Sequence, residues 1–253
     1  MRRLALLALP LVLAACGGSS PKGRIVIHAV TTPSESATAT VNHAIAKTAK
    51  QPVHASFSGL VTTSGQKVDM TGTGDVDPNA RHGTMHVQMG LGGAQIPLDE
   101  VLDGSTAYVS STFFDSFLPS GKKWLKVSLS SASNLGAAGF ALTSQPGAVP
   151  PLKNVRKVGA TEYTGEVDQT KLSPSEKDAL KGAHVKFGKV FVWVGGDGYV
   201  HRVRVETSSS GREKAKIVFT TTMSNYGENV HVTVPPAAQT VNANAAGIPG
   251  FSS

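Results

Sequence analysis

A single cysteine in 253 residues excludes any disulfide within the molecule, so burial and backbone pairing must hold the fold. Aromatic residues make up only 6% and charged residues 16% of the chain. No dense Lys/Arg stripe interleaves with aromatics, and such a stripe is what a nucleic-acid reader needs. The longest apolar stretch, residues 4–13, is broken by Pro10 and too short to span a bilayer. Catalytic signatures are absent too. There is no Gly-x-Ser-x-Gly elbow to activate a serine, and Gly72-Thr73-Gly74 and Gly90-Leu91-Gly92-Gly93 interrupt strand-like segments instead of opening helices as a nucleotide loop does. Asp99 and Glu100 are adjacent, so on a strand they point to opposite faces and cannot act as an acid–base pair. Glu162 and Glu166 share a face, but no other catalytic group accompanies them and they read as solvated side chains. Of the eight histidines only His82 and His86 lie close together, on a turn-and-strand segment with no third ligand, so they read as a surface pair and not a metal site.

The N-terminus, by contrast, is informative. Arg2 and Arg3 precede the apolar run, and Leu13-Ala14-Ala15 leads into Cys16. This pattern is an export signal over residues 1–15 ending in what resembles a lipobox. It predicts a diacylglyceryl group on the Cys16 thiol, in an exported protein held at the outer face of the cell membrane. Each buried methylene adds about 0.8 kcal/mol, so several acyl chains make the anchor firm. Without Arg2 and Arg3 the chain has 22 Lys+Arg against 17 Asp+Glu, a net +5, which reads as solvated charge.

Residues 16–36, rich in Gly, Ser, Pro and Thr, read as the lipidated cysteine and a flexible tether. Over 37–50, Val41, Ala44, Ile45 and Thr48 recur at helical spacing, which predicts one amphipathic helix ending before Pro52. From Val53 the period drops to two. Alternation predicts strands at 53–62, 67–75, 84–91, 96–102 and 105–110, with turns at Ser64-Gly65, Asp77-Pro78-Asn79 and Asp103-Gly104. Phe113, Phe114 and Phe117 interrupt that pattern. A strand at 124–129 follows, then a weak apolar helix or loop at 130–142. Further strands are expected at 155–160, 161–167, 185–194, 199–207, 214–223 and 229–234, with a helix at 173–180 capped by Ser173-Pro174. The expected fold is therefore α+β and mainly antiparallel β, in one domain over 37–236. Residues 237–253 are expected to be disordered.

In their order, several phrases resemble one group: Asp103-Gly104-Ser105-Thr106-Ala107-Tyr108-Val109, Gly121-Lys122-Lys123-Trp124-Leu125-Lys126-Val127, Thr161-Glu162-Tyr163-Thr164-Gly165-Glu166-Val167-Asp168, Gly196-Asp197-Gly198-Tyr199-Val200-His201-Arg202-Val203, and Asn225-Tyr226-Gly227. With the lipobox and tether, the chain resembles an LppX/LprG-type lipoprotein over residues 38–236. The resemblance implies a strongly curved half-barrel sheet with helices over its concave face, like the carriers that move lipoproteins across a periplasm. It implies a non-enzymatic lipid-binding or lipid-carrying role without a cofactor. The implied partners are an acylated envelope lipid or glycolipid, the membrane through the acyl anchor, and a membrane transporter; nucleic acid is not among them, and the chain is expected to be monomeric.

An open sheet needs cover, and a gap beneath the cover would be an apolar pocket. Phe57, Met70, Met85, Val87, Met89, Ile96, Leu98 and Leu102 are its candidate walls, the thioethers being adaptable to acyl chains. Phe113, Phe114, Phe117, Leu135, Phe140 and Leu142 are its candidate cover, with the first three as a gate or a plug. Alternation identifies the buried face and leaves open whether the interior is hollow or packed solid. In the packed case the protein would be a scaffold or sensor of the same fold.

Overall fold

A computed structural model describes residues 36–63, 66–128, 149–172, 174, 177, 185–209 and 215–243. The helix α1, Ala37–Thr48, begins where the Ser36 hydroxyl accepts from the Ala39 N–H (3.2 Å). It buries Val41, Ala44, Ile45 and Thr48, the four positions that the spacing selects. Six strands follow: β1 (Val53–Thr63), β2 (Gln66–Asp77), β3 (His82–Leu91), β4 (Ala94–Asp103), β5 (Thr106–Ser111) and β6 (Trp124–Ser128). Later come β7 (Leu152–Lys157), β8 (Glu162–Val167), β9 (Val185–Val194), β10 (Val200–Ser209), β11 (Ala215–Ser224) and β12 (Thr240–Asn242).

All twelve strands lie in one open, curved sheet in the order β12-β6-β5-β4-β3-β2-β1-β11-β10-β9-β8-β7. Neighbours are antiparallel except β12, which runs parallel to β6. Two meanders, β1 to β6 and β7 to β11, are thus joined side by side through the long β1–β11 ladder, which runs from His54↔Ser224 to Thr63↔Ala215. Register shifts in the β9–β10 and β7–β8 ladders mark bulges, which bend and twist a sheet locally.

Period-two burial gives most of the sheet one apolar face, whereas β4 and β5 are buried on both, with Val101 opposite Tyr108 on the other side. On β1 that face holds Val53, Ala55, Phe57 and Gly59, and Ser56, Ser58 and Leu60 are exposed. Two buried groups share it. One joins α1 to the β7–β11 half through Leu152, Tyr163, Val190, Val192, Val203 and Met223. The other lies on the β2–β6 half.

The helix is tied to the β7 edge as a further strand would be. The Asn42 amide donates to the Leu152 carbonyl and accepts from the Leu152 N–H, both at 2.9 Å. At the other end of the helix the buried Thr48 hydroxyl accepts from the Val200 N–H (2.9 Å), so the polar atoms that α1 brings into the core are satisfied.

Three expectations need correction. Residues 229–234 form no strand: Val234 is exposed, and the chain runs straight into Pro235-Pro236, which lack N–H groups to donate. The chain after 236 is ordered in part instead. A 3-10 turn at Ala237–Gln239 leads into β12, and Ala243 is buried with the second group. This segment caps the β6 edge, held by Lys122 Nζ donating to the Ala238 carbonyl (2.9 Å) and the Lys123 N–H donating to the Gln239 carbonyl (2.9 Å). The strand expected at 155–160 runs from Leu152 to Lys157, because Asn42 pairs with its first residue. Residues 1–35 lie outside the described residues, and so do the segment expected as a helix or loop at 130–142, most of that expected at 173–180, and 244–253. Among the described residues α1 alone lies over the sheet as a helix of several turns.

Candidate functional site

The β2–β6 half of the apolar face gathers most of the residues that alternation selects. Phe57, Met85, Val87, Leu98 and Phe114 are buried together, with Met70 packed against them. Leu102 is buried on the same face of β4, and Met89 and Ile96 stand half-buried opposite one another nearer the far end of the β3–β4 hairpin. The ladder Met70↔Met89↔Ile96 and the ladder Gly72↔Val87↔Leu98 place these side chains in rows across three strands. Cys16, Leu135, Phe140 and Leu142 lie outside the described residues.

Glycines set the depth of this face. The Phe57 and Phe219 rings stack with centroids 5.1 Å apart, each over a glycine of the neighbouring strand. A Cβ on Gly72 would come within 2.4 Å of the Phe57 ring, and one on Gly59 within 2.9 Å of the Phe219 ring. Without side chains beneath them, two large rings lie close to the backbone and form an aromatic floor.

Phe113, Phe114 and Phe117 do not behave as a unit. They lie on a 3-10 turn, Thr112–Phe114, and the residues just after it. The Ser111 hydroxyl caps that turn, accepting from the Phe113 N–H (3.2 Å) while donating to the Pro97 carbonyl (2.7 Å). Phe114 points into the apolar group, whereas Phe113 and Phe117 are 58% and 43% exposed and lie 6.3 Å apart, centroid to centroid. Two aromatic rings thus stand in solvent beside the buried face, in an arrangement able to meet a second apolar surface.

Glu100, set aside in the sequence only as a partner for Asp99, belongs to this face. On β4 the alternation Ile96, Leu98, Glu100, Leu102 puts a carboxyl among apolar side chains. Glu100 is 7% exposed, flanked across the ladders by Met85 and Val109. Among the described residues nothing donates to it or pairs with it, and burial alone pushes its carboxyl up to about 7 from an ordinary 4.5. Asp99, beside it in sequence, points the other way and meets His86 (2.6 Å).

The opposite face carries more such pairs: His54 with Asp75 at 2.7 Å and His82 with Asp103 at 3.1 Å. His82 and His86 therefore each serve an aspartate of the next strand and do not converge. Among the described residues no three His, Cys, Asp or Glu side chains come together as metal ligands would. Glu166 lies exposed and accepts from the Asn154 amide (3.2 Å).

Taken together, fold and face define an open, curved antiparallel sheet with one apolar face, roofed by a helix on one half and floored by flat aromatic rings on the other. No family model matches the chain, and no curated protein matches it. A solved DUF1329 family protein from Desulfovibrio piger is similar over 76% of this chain and 94% of its own, at 8% identity and a TM-score of 0.33. A likeness that loose carries no argument about fold or function. The LppX/LprG resemblance therefore rests on the sequence phrases alone.

Proposed function

We propose that this chain is an exported lipoprotein, anchored through Cys16 at the outer face of the cell membrane, that binds or carries an envelope lipid by housing acyl chains against the apolar face of its curved sheet. The observation that carries the reading is the composition of the β2–β6 half and the β1–β11 seam beside it: methionines, the Phe57 and Phe219 rings over glycines, and two exposed phenylalanines at the margin. Flexible thioethers and aromatic rings adapt to hydrocarbon without demanding one shape. The half-burial of Met70, Met89 and Ile96 leaves apolar surface at the open end of this face. The LppX/LprG resemblance supports the same reading and adds helices over the concave side, as part of the proposal. No step of it requires catalysis.

A second reading has its own support. Phe57, Val87 and Leu98 are buried by one another, as they would be in a solid core, and the protein would then be a scaffold or sensor that meets a protein partner. Native mass spectrometry of the chain from Gly17 onward, purified gently from an envelope-containing expression host, separates the two. Adducts whose fragments are fatty acyl chains are expected. A bare polypeptide mass that persists through challenge with mixed lipids would refute the carrier reading.

A further inference from the structure

Glu100 is costly as a purely structural residue. A carboxyl on an apolar face gives up most of its water, and among the described residues no hydrogen bond replaces it; its oxygens are not fully sealed from solvent, Arg204 Nε being the fully buried unpartnered side-chain atom of the described residues. The described surroundings offer no counter-charge. Its own strand supplies Leu98 and Leu102, and the facing positions of β3 and β5 supply Met85 and Val109. Among the described residues the Ser111 hydroxyl, next along this face of β5 after Val109, donates to the Pro97 carbonyl. The charged groups of β3 and β4 are His82, His86, Asp99 and Asp103, and they pair on the opposite face. On β6 the face-sharing positions Leu125 and Val127 are apolar and Lys126 is exposed; Asp115, in the turn after β5, is exposed as well. Residues 237–243 contain no titratable side chain, and residues 129–148 contain none either, so neither segment can bring a cation to Glu100 or an acid against it.

We propose that Glu100 is the hydrogen-bonding anchor for an acyl-ester carbonyl of a lipid lying on the β2–β6 half of the apolar face, and that its ionisation releases that lipid. This rests on the lipid-binding reading and names the group that orients the ligand there. A carboxylic acid held neutral in an apolar setting has one O–H to give. An ester carbonyl accepts such a bond and carries no charge of its own that burial would penalise, whereas a carboxylate at the same place would face the carbonyl oxygen with like polarity. Burial sets the crossover, raising the Glu100 carboxyl to about 7. The acyl chains then lie along the half-buried Met70, Met89 and Ile96 row, and the polar link fixes their depth.

The test uses the chain from Gly17 onward and a fluorescent diacylglycerol, with affinity measured by titration at about pH 5.5 and about pH 8.5. If only the neutral acid binds, affinity falls about 30-fold at the higher pH. The variant Glu100→Gln keeps a donor that cannot ionise, so it is expected to bind with little pH dependence. Glu100→Leu is expected to bind weakly at both values while unfolding as cooperatively as the parent. Flat diacylglycerol binding by the parent, unaltered in Glu100→Leu, would overturn the anchor and leave lipid binding intact. A long-chain alkylamine that binds more tightly at the higher pH, lost in Glu100→Gln, would also overturn it, since Glu100 would then work as a carboxylate. Failure of the parent to take up diacylglycerol, alkylamine or fatty acid at either pH would bring down the lipid-binding reading and the anchor with it.

Discussion

The two halves of the sheet solve the same problem differently. Under α1, the β7–β11 half is closed with branched aliphatic residues such as Val190, Val192 and Val203, and the polar side chains that α1 brings to it are matched, Asn42 to both backbone groups of Leu152 and Thr48 to Val200; on β10, Arg204 Nε is buried without a partner among the described residues. The β2–β6 half sets Met85, Phe57 and Phe114 among Val76, Val87, Leu98, Val109 and Leu125, with Met70 packed against them and Gly72 beneath the Phe57 ring, and among the described residues Glu100 has no partner there. Branched side chains with few rotamers pack into one arrangement, whereas thioethers and rings above glycines tolerate several. The expectation is that stability concentrates where α1 docks, and adaptability on the half that α1 does not cover.

The largest expected effect lies in the closed half. Leu152 is 2% exposed and sits where α1 grips the edge strand. Truncation to alanine opens a cavity that the Asn42 clamp prevents from collapsing, at a cost of about 4 kcal/mol. Equilibrium unfolding in urea measures it. A loss no greater than that of a truncation in the β2–β6 half would erase the distinction between the two.

A somewhat smaller effect comes from Glu100 and has a defined direction. Its folded carboxyl titrates at about 7 and its unfolded one near 4.5, so between those values the folded state keeps a proton that the unfolded chain has lost. The stabilisation is therefore complete below about pH 4.5 and disappears as pH rises through about 7, amounting to about 3 kcal/mol if the full shift is realised. The difference in unfolding free energy between the parent and Glu100→Gln, followed across that window, isolates this residue from the others that titrate. A difference independent of pH would mean that water or a cation reaches the carboxyl, and that this half is less apolar than its lining suggests.

Much of this contrast was legible in the residues before any fold was known. The three-to-four spacing of Val41, Ala44, Ile45 and Thr48 identified the docking face of α1, and alternation located most strands to within a residue or two, because both depend on neighbours close in sequence. Glu100 was visible in the same way, between Leu98 and Leu102, but in the sequence it reads only as a failed acid–base partner for Asp99, and its burial follows from the register. Register prevails because a one-residue slip would turn every side chain of β4 to the wrong face. Two features had no local signal. The β1–β11 ladder joins positions some 160 residues apart in the chain, and β12 is a three-residue strand running parallel to β6, too short for alternation to register. Conversely, Val230, Val232 and Val234 alternate like a strand and form none, the chain running instead into Pro235-Pro236, which have no N–H to donate to a ladder. The aromatic floor depended on Phe219 meeting Phe57 across that same β1–β11 ladder, so only the glycines beneath it could be read locally, and they read merely as interruptions.

The smallest stability effect should come with the clearest functional one. Met89 is half-buried at the open end of the β2–β6 half, level with Met70 and Ile96. Already touching solvent, it loses little when truncated, and Met89→Ala should cost under about 1 kcal/mol. The same change removes a flexible thioether from the surface on which hydrocarbon would rest. Diacylglycerol affinity should therefore drop several-fold although the urea midpoint hardly moves, the reverse of what Leu152→Ala does. If both variants lost stability and binding in the same proportion, the halves would be one cooperative core, and the division of labour between a closed half and an adaptable one would fail.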